Sequence, residues 1–148
     1  MSKIDIGRAP ERAGSSYPAP FDEPCKARHF RRLGDAAGLT QFGVNLVRLP
    51  PGTWSSHRHW HEKEDEFVYV LEGTPVLVTD EGDEPLLPGD CAGFKAGVKN
   101  GHTFQNRSNA DVVLLVVGSR IEGEQGEYSD IDMTFGKAGF RHKDGRPY

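Results

Sequence analysis

The sequence predicts one all-β domain, a barrel or sandwich of short strands, and three observations lead there. Short runs rich in β-branched and aromatic residues recur from about residue 41 onward. Turn-forming clusters separate them: Pro50-Pro51-Gly52, Asp80-Glu81-Gly82-Asp83, Pro88-Gly89-Asp90, Asn100-Gly101 and Asn106-Arg107-Ser108-Asn109. The length, 148 residues, suits a single domain with a real hydrophobic core.

The elements follow in order. The first part of the chain, through about Asp22, is rich in proline, glycine, serine and charge, and Pro10, Pro18, Pro20 and Pro24 interrupt any helix. Residues 1–38 are therefore expected to form an extended arm, with Tyr17, Phe21 and Phe30 as apolar anchors on the domain or on a neighbouring subunit. The domain itself spans residues 39–120. Strands are expected at 41–49, 67–71, 75–79, 86–87, 91–94, 102–105 and 112–117, the last an unbroken apolar run that reads as buried on both faces. Residues 121–148 form an irregular tail whose scattered Ile121, Tyr128, Ile131, Met133, Phe135 and Phe140 are expected to pack on the outside of the domain.

Composition narrows the function. Hydrophobic residues make up 36% and charged residues 27%, a globular profile, and the net charge of −4 argues against a nucleic-acid backbone as partner. No apolar run is long enough to span a membrane. The stretch from Met1 to Arg8 has no apolar signal core, so a cytoplasmic location is expected. Cys25 and Cys91 lie far apart and form no CxxC pair, which reads as two reduced thiols. No nucleophile elbow, P-loop or GxGxxG is present.

The chemistry concentrates in one region. In His59-Trp60-His61 the two imidazoles fall on one face of a strand, since side chains alternate with period two. His57 shares that parity, so His57/His59 is an alternative pair. The acidic run after them offers Glu62, Glu64, Asp65 and Glu66. The strand that follows ends at Gly73, with Val68 and Val70 on the face of Glu66. Later come His102 and, on its face, Phe104 and Asn106. Two imidazoles, a carboxylate and a third imidazole are a donor set for a divalent metal.

The pattern His59-x-His61-x4-Glu66-x6-Gly73 resembles the first motif of the cupin superfamily, in its small single-domain conserved-barrel branch. Gly89, Gly97, His102 and Asn106 are similar to the second motif, and the 15 residues between Gly73 and Gly89 match the short spacing of microbial members. The motifs cover Gly52 to Asn106, about a third of the chain. Only the His59/His61 register keeps both the Glu66 and the Gly73 spacing, which selects it over His57/His59 and Glu66 over Asp65. Three departures stand out. Six residues separate Gly52 from His59 where the pattern has five. Lys95 occupies the usual proline position. Four residues rather than two separate Gly97 from His102, which bears on the placement of His102.

The resemblance implies a double-stranded β-helix, or jelly-roll barrel, with His59, His61, Glu66 and His102 holding one divalent metal ion per chain: Fe, Mn, Ni or Zn. His57, Val68 and Phe104 are candidates for the substrate pocket, Lys95 for its mouth, and no catalytic residue is assigned. The implied function is a metal-dependent enzyme acting on a small organic molecule by dioxygenase-, isomerase- or lyase-type chemistry. The alternative is a non-catalytic cupin that binds or senses a small molecule. A small-molecule ligand and a homodimeric partner are expected, with no nucleic acid and no membrane.

Overall fold

Alternation along three long strands builds the barrel interior. The computed structural model, which describes residues 3–148, contains β1 (Glu11–Ala13), β2 (His29–Arg32), β3 (Phe42–Leu49), β4 (His59–His61), β5 (Glu66–Glu72) and β6 (Val76–Thr79). These are followed by β7 (Gly82–Pro85), β8 (Cys91–Phe94), β9 (Thr103–Gln105), β10 (Val112–Ser119), β11 (Gly126–Tyr128) and β12 (Thr134–Phe135), with a short α-helix, α1 (Leu33–Ala36), and 3-10 turns at Ile6–Arg8 and Glu23–Cys25. Val47 and Leu49 of β3, Val68 and Val70 of β5, and Val112 and Leu114 of β10 all point to one side and are buried.

These strands belong to a six-stranded antiparallel sheet in the order β1-β2-β3-β10-β5-β8. Facing it are two three-stranded sheets, β7-β6-β9 and β12-β11-β4. A two-way backbone bridge between His59 and His102, with N–H···O distances of 3.2 and 3.0 Å, joins these smaller sheets. The result is the jelly-roll barrel. Leu77 and Phe104 from the smaller sheets, with Leu86 just after β7, complete its core. A second apolar cluster of Tyr17, Cys25, Tyr128 and Met133 ties the N-terminal segment to the C-terminal one.

The segment expected as an extended arm does more than drape over the barrel. Its β1 and β2 add two strands to the edge of the large sheet, with His29 to Arg32 pairing Arg48 to Asn45. The strand expected at 86–87 falls instead at β7, just before it. Leu86 drops into the core while Leu87 is exposed. β10 is flanked by β3 and β5 and buried on both faces only in its first half, from Val112 to Leu114.

Two motif residues have structural work. Gly73 adopts φ +78°, and a Cβ there would stand 2.5 Å from the Asp111 carbonyl oxygen, so the turn after β5 requires glycine. Buried Asn106 donates from Nδ2 to the Leu49 and Ala110 carbonyls, both at 2.7 Å, and locks the turn into β10. Both cysteines are free, Cys25 buried and Cys91 exposed. Among the described residues, no helix is long and apolar enough to cross a membrane.

Candidate metal centre

β4 presents His59 and His61 on one side and turns Trp60 to the other. Glu66 opens β5, and His102 sits just before β9 across the bridge from His59. The three imidazoles surround the carboxylate. His59 Nε2 lies 4.0 Å and His61 Nε2 3.2 Å from Glu66 Oε2, and His102 Nε2 lies 3.5 Å from Oε1. Donor atoms of His59, His61 and Glu66 fall within 4.8 Å of one another. The His102 ring stands 4.7 Å from that of His59 and 6.5 Å from that of His61. The longer loop before His102 thus leaves it facing Glu66.

The surroundings set the protonation of these groups. His59 Nδ1 lies 3.0 Å from the His57 carbonyl oxygen and 3.2 Å from Ser56 Oγ. A carbonyl only accepts, so Nδ1 carries the proton and the Nε2 lone pair faces Glu66. Burial, reinforced by His102, pushes His59 down to about 3 despite the opposing charge of Glu66, so the ring is neutral near pH 7. Burial also acts to lower His61, but the carboxylates of Glu66, Glu124 and Glu64 together outweigh it and the net shift is upward. Burial would raise Glu66. Contacts with His102 and His61 overcome that and hold it well below the usual carboxylate range.

These groups fit a metal. Both ring nitrogens of His61 and of His102 are buried without a hydrogen bond. The Nε2 atoms approach Glu66 but are not aligned for one. An unsatisfied buried polar atom costs about 1–3 kcal/mol, and a cation in contact with Glu66 would satisfy the two Nε2 atoms at once. Three imidazoles and one carboxylate suit a first-row divalent ion.

Aromatic rings wall the centre. Phe94 stacks on His102 with centroids 3.5 Å apart and planes 7° from parallel. Phe135 lies 5.3 Å from His61, and Tyr128 lies 5.8 Å from His59. A cavity of about 310 Å³ reaches His61 and His102 between Trp60, Phe94, Lys95 and Asn100. A smaller one of about 210 Å³ reaches His61 and Glu66 on the other side, past Asn45, Val116 and Arg120.

Several sequence candidates lie elsewhere. His57 Nε2 bonds the Phe21 carbonyl at 2.7 Å, and its ring sits among Tyr17, Phe21 and Trp54, where it fastens the N-terminal segment. The strand begins only at His59, so the period-two parity does not extend back to His57. Val68 and Phe104 are buried in the barrel core and line neither cavity. Asp65 accepts from the Ala96 amide at 2.8 Å, while Arg58 bonds Asp80 and Asp130 on the outside. Lys95 does line the larger cavity. Sequence reasoning missed Glu124, whose Oε1 lies 3.3 Å from His61 Nδ1. It also missed the walls formed by Tyr128 and Phe135, because no motif spacing marks the tail.

Comparisons with known proteins place the fold in a family. The family model for the cupin domain matches residues 45–118. A sugar phosphate isomerase of the cupin superfamily from Silicibacter pomeroyi is 50% identical, with a TM-score of 0.95 over 99% of this chain and 96% of that one. A protein from Acidithiobacillus ferrooxidans to which sugar phosphate isomerase activity is ascribed is 27% identical, with a TM-score of 0.78 over 95% of this chain and 88% of the other. The polyketide cyclase RemF from Streptomyces resistomycificus, at 22% identity and a TM-score of 0.63 over 80% of this chain and 79% of its own, shares the fold. No curated protein matches the chain.

Proposed function

The chain belongs to the cupin family, and on that premise we propose that it is a metal-dependent enzyme that isomerises a small phosphorylated sugar. The observation that carries the reading is the group of three imidazole Nε2 atoms facing Glu66, those of His61 and His102 buried. His59, His61, Glu66 and His102 would hold one divalent ion per chain: iron, manganese, nickel or zinc. Such an ion would supply Lewis acidity, polarising a sugar carbonyl and easing proton loss from the adjacent carbon. The 50%-identical relative, matched over nearly its whole length, favours isomerisation over dioxygenase or lyase chemistry.

The chain's own residues contribute shape and charge. Trp60 and Phe94 give the larger cavity apolar walls, and Lys95 in its lining supplies a cation for an anionic end of the substrate, while Thr79 and Asn100 in the same lining bond Glu81. An aldose–ketose isomerisation moves one proton between adjacent carbons and one between adjacent oxygens, with no net change of atoms. It therefore leaves a signature: exchange of the migrating carbon-bound hydrogen with solvent.

The test pairs metal analysis with proton NMR of aldose and ketose phosphates in deuterated water. We expect about one equivalent of metal per chain, with deuterium incorporation or isomer interconversion for at least one substrate. Both should be lost in His59→Ala/His61→Ala. Metal without exchange across the panel would overturn the isomerase reading and leave a binding cupin. No metal after reconstitution would overturn the metalloenzyme reading itself.

We further propose that the chain pairs with a second copy of itself. On the outer face of the large sheet Phe42, Phe67, Tyr69 and Leu71 are exposed together. A contiguous apolar patch of this kind marks an interaction surface.

A further inference from the structure

We infer that Glu124, in the C-terminal segment, is a positioning residue for the metal centre: its carboxylate orients His61 and makes that imidazole a stronger ligand. The inference rests on the metal-site reading above. It extends the centre beyond residues 45–118, the part of the chain that the family model matches.

The three imidazoles are held differently. His59 has the His57 carbonyl behind its Nδ1. His102 Nδ1 has no hydrogen-bond partner. His61 Nδ1 faces a carboxylate, Glu124 Oε1, at 3.3 Å. The N–H there is within reach but not aligned for a full hydrogen bond. A metal-ligating histidine commonly donates its second ring N–H to a carboxylate or carbonyl, which fixes the tautomer and raises the basicity of the coordinating nitrogen.

Glu124 is itself fixed in place. Its Oε1 accepts from the Glu62 amide at 3.1 Å and its Oε2 from the Lys63 amide at 3.0 Å. Its side chain is only 13% exposed, unlike an ordinary glutamate on a surface tail. Two residues later β11 pairs antiparallel with the metal strand, in the register Gly126 to His61, Glu127 to Trp60 and Tyr128 to His59. Phe135 of β12 then closes over His61. One stretch of tail thus gives β4 a pairing strand, an aromatic cover and a carboxylate.

The experiment is a competition titration of zinc against a chromophoric chelator, on wild type, Glu124→Gln and Glu127→Gln. Glutamine preserves size and one acceptor but removes the charge. Glu127, on the adjoining strand, is exposed and serves as the control. We expect zinc affinity to fall about 10–100-fold in Glu124→Gln, with Glu127→Gln equal to wild type. Glu124→Gln within twofold of wild type would overturn the inference, whereas wild type that binds no zinc would overturn the metal reading instead. Nitrogen NMR of the imidazoles in zinc-loaded wild type gives a readout that needs no variant. His61 should bind zinc through Nε2 and keep its proton on Nδ1, facing Glu124, and coordination through Nδ1 would overturn the inference.

Discussion

His59 shows how one residue ties burial to pH. Its folded value is pushed down to about 3 from the usual 6.5, so between those values the unfolded chain binds a proton that the native state does not. Stability therefore falls as pH drops from about 6.5 toward 3. His61 is shifted upward, so its contribution is complete below 6.5 and fades as pH rises above it. Glu66 is shifted downward and contributes above its unfolded value near 4.5. Chelator-treated protein should accordingly be less stable at pH 5 than at pH 6.5 in urea titrations, and His59→Gln should flatten that slope. An unchanged midpoint in wild type would contradict a neutral, buried His59. Loss of one donor should also be visible in metal binding: His102→Ala is expected to weaken zinc by more than about 100-fold, beyond what loss of an outer partner gives. The spacing His59-x-His61-x4-Glu66 made the grouping legible because it depends on period two within β4 and on the start of β5. His57 misled because the same arithmetic was extended into residues 55–58, which have no regular strand.

At the scale of elements, long strands announced themselves and short ones did not. β3 and β5 carry enough apolar and β-branched residues to be read from sequence, and β10 is legible as an unbroken apolar run. β1, β7 and β11 have three or four residues each, with β1 and β7 wholly exposed, and their pairing partners rather than their own side chains decide their conformation. β11 matters most among these because it backs the metal strand. Gly126 lies opposite His61, and an added methyl would come within 2.5 Å of the Phe135 ring and press on the Trp60 carbonyl. Gly126→Ala should therefore push β11 off β4, destabilising the protein by about 1–3 kcal/mol. Zinc affinity should fall with it. A variant that lost stability while keeping full affinity would show that the tail supports the fold and not the centre. Metal at about 100 times its dissociation constant adds about 2.7 kcal/mol, so thermal midpoints with and without zinc separate the two effects.

At the scale of the molecule, the large sheet has one face in the core and, on the other, an exposed apolar stretch along β5. The outward set in β5, Phe67, Tyr69 and Leu71, alternates with the inward Glu66, Val68 and Val70. β10 pairs Val117 against Phe67 and Leu115 against Tyr69, so the apolar side chains form one continuous band, and Phe42 extends it across β3. Strand spacing and rise give this six-stranded face an area of about 600 Å² before side-chain relief is added, close to the ~800 Å² per partner of a standard interface. A second copy suits it, because a two-fold axis lets the same band meet itself. Sedimentation should find twice the chain mass for wild type and a single chain for Phe67→Glu, with metal content unchanged, since Phe67 points away from the barrel interior. Cys91 of β8, paired with Tyr69 of β5, gives an independent reading. Its thiol is exposed in the isolated chain and should react slowly with alkylating reagents in wild type and quickly in Phe67→Glu. Wild type that sediments as a single chain with a fast-reacting Cys91 would leave the band open to a different partner and remove self-association from the account of this protein.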